Sequence, residues 1–182
     1  DLTRLSAWSQ RLEQVAAKAG RPRDVYRETL AREWIATATR EYEDNDRTMF
    51  ASAALTRAAG LIEQMENGAM KPQSGELPAS TSVLGSKPVH PELWASLEEL
   101  KKHEGFECAA EALARMEVEL QTAGNEELDQ GDCHSSPHLR AAEDLAREAR
   151  LKAEACVAKP IVVVPPPAPT PTPLSPTPEV VV

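Results

Sequence analysis

The sequence predicts an all-α protein: a bundle of about six helices in antiparallel hairpins, followed by a Pro-rich extended tail. Three observations carry that reading. Ala, Leu, Glu, Arg and Gln fill residues 1–70 and 91–158, and all of them tolerate helix. Apolar residues recur there at three- and four-residue steps, the period of one helical face. From Pro160 onward nine of the last 23 residues are proline, which excludes helix and favours polyproline II.

The elements follow in order. Leu5, Trp8, Leu12, Val15 and Ala19 draw the first apolar stripe, which Gly20 and Pro22 stop. A second helix runs from about Arg23 to Glu43, with Tyr26, Leu30, Trp34, Ala38 and Tyr42 on one face. Asp44-Asn45-Asp46 interrupts it and is expected to cap the next helix. The third spans roughly Arg47 to Asn67, burying Phe50, Ala54, Leu61, Ile62 and Met65, and Gly68 is its natural stop. Residues 69–89, rich in Pro, Ser, Gly and Thr and without periodicity, read as a long mobile loop.

His90-Pro91 opens the fourth helix, whose apolar face is Leu93, Trp94, Leu97 and Leu100 and which Gly105 ends. The fifth continues from near Glu107 to about Gln130, through Gly124-Asn125 at some cost in stability. A turn over residues 131–135 follows. Ser136-Pro137 then reads as N-cap and first residue of the sixth helix. Leu139, Ala142, Ala146, Ala149, Ala153 and Cys156 form a narrow seam in it, close to heptad spacing.

The domain reading is therefore a helical domain over 1–159 and a linker over 160–182. At about 3.1 Å per residue the linker would reach roughly 60–70 Å. Val180-Val181-Val182 reads as the first residues of a strand belonging to a further domain. The sequence opens on Asp1 rather than methionine, and any signal peptide or lipid-attachment cysteine would lie upstream of it. No stretch approaches the roughly 18–20 apolar residues that a bilayer crossing requires, so no transmembrane segment is expected.

The net charge of −9 argues against a nucleic-acid partner, because phosphate binding wants a basic face. The three Trp, two Tyr and two Phe leave a core built mainly from Leu, Ala, Ile and Met. Charge is uneven: residues 1–40 hold 8 Lys/Arg against 5 Asp/Glu, and residues 98–132 hold 3 against 11. A solvated helix face is the preferred explanation, as it is for Arg21, Arg23 and Arg27 around the first turn.

Cysteines carry the sharpest expectation. Cys108 lies 24 residues before position 132 and Cys156 lies 24 after it, and position 132 is the middle of the expected turn. Both helices of a hairpin rise at the same rate, so residues equidistant from the turn meet. A Cys108–Cys156 disulfide is expected, and with it an oxidising compartment. Cys133 is left at the tip with Asp132, His134 and His138, a set whose chemistry suits a soft metal such as zinc or copper. The spacing matches no recognised metal module and Pro137 separates the histidines, so ordinary turn residues are the preferred reading. No cofactor is expected.

Catalytic signals are wanting. Glu98-Glu99 and Glu126-Glu127 are adjacent pairs, which point in different directions from a helix. His90 and His103 are remote in sequence from any obvious nucleophile, and no glycine-rich phosphate loop exists. No catalytic residue is assigned, and a non-enzyme is expected.

Several stretches are similar to one another's counterparts in a known family. Glu-Tyr-Glu-Asp-Asn-Asp-Arg-Thr at 41–48, Pro91-Glu92-Leu93-Trp94 and Phe106-Glu107-Cys108-Ala109 resemble the helical N-terminal regions of certain proteobacterial OmpA-family proteins. Glu117-Val118-Glu119-Leu120, Gly124-Asn125-Glu126, Pro137-His138 and Ala142-Glu143 look similar too. The matches are diffuse and span about 30–158. In that family a helical domain and a Pro-rich linker precede a peptidoglycan-binding domain. The resemblance implies a periplasmic, outer-membrane-associated structural or docking module that holds an envelope assembly toward peptidoglycan. It would contact peptidoglycan only through a domain downstream of Val182. The rival expectation is a periplasmic ligand- or metal-binding protein using Cys133, His134 and His138.

Overall fold

The computed structural model describes residues 2–18, 24–44, 48–67, 88–129 and 131–158. Six helices and no strand occur among them: α1 (Leu2–Ala16), α2 (Val25–Glu43), α3 (Phe50–Glu66), α4 (Pro91–Lys101), α5 (Phe106–Asp129) and α6 (Asp132–Val157). The expected stops at Gly20, Pro22 and Gly68, the loop over 69–87 and the Pro-rich linker lie outside the described residues. Val89, at the end of the expected loop, is buried.

Two sets of three helices can be recognised from their packing. α1, α2 and α3 pack on one another, α4, α5 and α6 pack on one another, and α2 against α5 joins the sets. α2 and α5 are therefore the central helices, and their burial shows it. α2 buries Arg27, Glu28, Thr29, Thr37 and Glu41 besides its apolar residues, and α5 buries more than half its length. A helix with neighbours on several sides cannot keep its polar face in water.

Trp34 and Phe50, both fully buried, meet edge-on at 6.3 Å between α2 and α3. Leu12, Leu30, Leu61, Ile62 and Met65 fill the space around them. Tyr26 of α2 meets Phe106 of α5 at 5.7 Å, across the junction of the two sets. Tyr42, expected on the buried face of α2, is 47% exposed. It sits in the last turn, where that face has run past its neighbours.

Local chemistry sets the helix starts. The Asp24 carboxylate accepts the Arg27 backbone N–H at 3.1 Å and so caps α2, a cap more specific than the expected start at Arg23. α3 starts at Phe50 rather than Arg47, with Met49 at its N-cap position, and Thr48 Oγ1 just before it accepts the Phe50 N–H at 3.2 Å. Asp44 instead closes α2, its N–H donating to the Arg40 carbonyl at 2.9 Å. His90 precedes Pro91 with φ of 54°, a left-handed conformation uncommon outside glycine.

α4 ends at Lys101, four residues before the glycine expected to stop it. Gly105 has a different task. A Cβ built there would lie 2.0 Å from the Ala153 carbonyl oxygen, so the missing side chain lets the α4–α5 turn touch the backbone of α6.

α6 also departs from expectation. It begins at Asp132, and Pro137 lies inside it rather than at its first position. Gly131, at φ of 80°, turns the chain in so few residues that a five-residue turn is unnecessary. Pro137 has no N–H to offer the Cys133 carbonyl four residues back. The hydroxyls of Ser135 and Ser136 donate to the Asp132 carbonyl at 3.2 and 2.6 Å beside this gap.

Candidate functional site

The polar chemistry of the bundle concentrates where α2, α4 and α5 meet. Glu117 of α5 is fully buried. Its Oε2 accepts the Tyr26 hydroxyl at 2.5 Å and the Lys101 ammonium at 2.9 Å. Gln121 Nε2, one turn along α5, donates to Oε1 at 3.5 Å. Lys101 also reaches Glu98 at 3.2 Å, and its ammonium stands 5.3 Å from the centre of the Tyr26 ring. Three helices thus converge on one carboxylate.

The arrangement is electrostatically coherent. A charge buried away from water is costly unless paired and hydrogen-bonded, and Glu117 has a cation and two further donors. Burial pushes the Tyr26 hydroxyl well above its ordinary 10.0, and the adjacent Glu117 charge, the hydrogen bond to it and the charge of Glu98 push the same way. The Arg57 charge opposes them. Tyr26 therefore stays a neutral donor across the ordinary pH range. The cluster is enclosed by its own helices and orients them; its chemistry is that of a structural ion pair.

Sequence reasoning placed Tyr26 on a buried face and did not anticipate Lys101 or Glu117. One signal was available. Leu113, Glu117, Leu120 and Gly124 share one face at helical spacing, so Glu117 interrupts an otherwise apolar stripe. A carboxylate in such a stripe needs a partner, although nothing in the spacing says which.

An open cleft of about 400 Å³ lies between α1 and α2, with Leu12 and Ile35 at its base and Arg32 and Glu13 on its rim. Those two charges pair across it at 3.0 Å.

The structure joins Cys108 to Cys156 in a disulfide, with Cα atoms 6.0 Å apart. Near the middle of α5, His138 Nδ1 of α6 lies 2.6 Å from Glu119 Oε2. Cys133 is exposed in the first turn of α6. His134 and His138, four residues apart, share a face of α6, while Cys133 points away from that face; Glu119 engages His138. Among the described residues no three His, Cys, Asp or Glu side chains come together to hold a metal ion. No described helix is long and apolar enough to cross a membrane.

No family model matches the chain, and no curated protein or solved structure matches it.

Proposed function

We propose that the chain is a non-enzymatic structural or docking module of the bacterial cell envelope. In this reading it works in the periplasm at the outer membrane, and the Pro-rich run from Pro160 tethers it toward peptidoglycan. The single observation that carries the reading is the Cys108–Cys156 disulfide, because such bonds rarely persist in the cytosol. The resemblance of residues 30–158 to helical regions of OmpA-family proteins supplies the envelope context. The arrangement of the helices as antiparallel hairpins belongs to the same proposal. Support for it comes from α5 and α6: Cys108 bonds Cys156 near one end, while Glu119 meets His138 toward the other.

The partner is an envelope protein or assembly, and no nucleic acid is expected of a chain with net charge −9. The metal-handling alternative at Cys133, His134 and His138 has no gathered ligand set to rest on.

Thiol trapping in intact cells tests the proposal. With free thiols blocked before lysis, mass spectrometry should recover Cys108 and Cys156 joined, with the protein in the periplasmic or outer-membrane fraction. Recovery of both cysteines alkylated without reductant removes the compartment argument, and the envelope function with it.

A further inference from the structure

α6 is the least anchored of the two long helices. Its 26 residues bury only Ser135, Ala142, Ala149 and Ala153, so no large side chain of this helix is fully enclosed. Leu151 and Val157, in its last two turns, are 67% and 39% exposed. α5 is the opposite case, buried along most of its length and packed against α2, α4 and α6. The last turn of α6 has one strong attachment, the bond from Cys156 to Cys108 in the first turn of α5. Two residues beyond Cys156 the helix reaches its C-cap, Ala158, and the chain continues toward Pro160.

We infer that the Cys108–Cys156 bond is the point at which tension on the C-terminal segment enters the bundle, passing from the end of α6 directly into α5. The inference rests on the tethering reading and adds a mechanism to it. A pull on Val157 alone would break the contacts of α6 in sequence from its C-terminal end, where the fully buried residues are the alanines Ala153 and Ala149 and the nearest ion pair to another helix, Arg150 to Glu99, is exposed. With the bond in place, the end of α6 cannot leave unless the start of α5 moves with it. Gly105 strengthens the same junction, because the α4–α5 turn lies directly against the Ala153 backbone. Peeling is thereby replaced by simultaneous failure of several helices.

Force spectroscopy on the full chain, held at its N-terminus and at Val182, tests this. The oxidised chain should rupture without an early step, and the 48-residue separation of the bonded cysteines should withhold about 160 Å of contour. The Cys108→Ser/Cys156→Ser double variant should show an early step of about 90 Å as the 26 residues of α6 peel, at a force below the first rupture of the oxidised chain. Exposed Cys133, at the start of α6, offers a second handle position in that variant. Pulled between the N-terminus and Cys133, its first rupture should match that of the oxidised chain pulled through the same site.

If the early step is absent, or if the force falls equally from both handle positions, the bond is general reinforcement and the inference is overturned. Should the variant fail to fold, reducing single oxidised molecules while they are held gives the same comparison. The outcome is separable from the compartment question, which the thiol state in cells decides by itself.

Discussion

The α1–α3 set and the α4–α6 set solve the same packing problem in different ways. In the first, large side chains fill the space between helices: Trp34 and Phe50 meet edge-on, with Leu12, Leu61, Ile62 and Met65 around them. In the second, α6 fully buries only small residues, with Leu145 half-buried beside them, and approaches so closely that Gly105 has no room for a methyl group. Close approach gains dispersion contacts between backbones but removes little apolar area per residue. The disulfide ties this seam covalently near one end. The contrast lies at the α6 seam, since α4 and α5 bury Leu97, Leu100, Leu113 and Met116 as fully as the first set buries its own large side chains.

Predictions ordered by size can break this contrast. Trp34→Ala should cost about 3–5 kcal/mol in chemical denaturation, since it empties the centre of the first set. Leu145→Ala on half-buried α6 should cost only about 1 kcal/mol. Equal losses at the two positions would erase the distinction between the sets. Glu117→Ala should likewise cost about 3–5 kcal/mol, because it takes from the buried Lys101 ammonium its fully buried counter-charge and leaves it the half-exposed Glu98. The triple replacement Tyr26→Phe, Lys101→Met, Glu117→Leu should recover most of that loss, as apolar residues of similar volume need no partner.

Removing the disulfide by Cys108→Ser/Cys156→Ser should lower stability by about 4 kcal/mol, the chain-entropy expectation for a 48-residue separation. A loss below about 1 kcal/mol would show that packing alone secures α6.

Tyr26 supplies a pH test of the junction between the sets. Its folded-state affinity for the proton is raised, so the unfolded chain loses that proton first as pH rises. The stabilisation is complete below about pH 10 and is lost as pH climbs toward the folded-state value. Denaturation midpoints should fall above that pH in the parent chain, and Tyr26→Phe should flatten the fall. Phe should also cost about 1.5–3 kcal/mol at neutral pH, the worth of a hydrogen bond to a charged group. The smallest effect is expected at exposed Cys133, where Cys133→Ser should leave the unfolding free energy within about 0.5 kcal/mol of the parent.

The six helices were legible because each advertises itself locally. Leu5, Leu12 and Val15 in α1 and Phe50, Ala54 and Ile62 in α3 occupy the buried positions their spacing predicts. Cys108 and Cys156 were legible as a pair for a related reason, since they stand at equal distances from the expected turn, and the structure joins them. The errors came where two local signals competed. Ser136-Pro137 is a good helix start, yet Gly131 can turn the chain at once, and α6 takes the earlier start and encloses the proline. Gly105 has the composition of a helix stop, and its lack of a side chain is used instead by a helix that arrives 48 residues later.

The sequence by itself determined the helical periods, the equal spacing of Cys108 and Cys156 about residue 132 and the abrupt change of composition at Pro160, because these depend on residue type and spacing along the chain. Tertiary structure alone decided that α2 and α5 join two sets of helices, and that the Tyr26 hydroxyl meets Glu117 across 91 residues of chain. The physical reason is that an amphipathic stripe specifies which face is buried and says nothing of what covers it. Only three helices converging on one carboxylate make its burial tolerable.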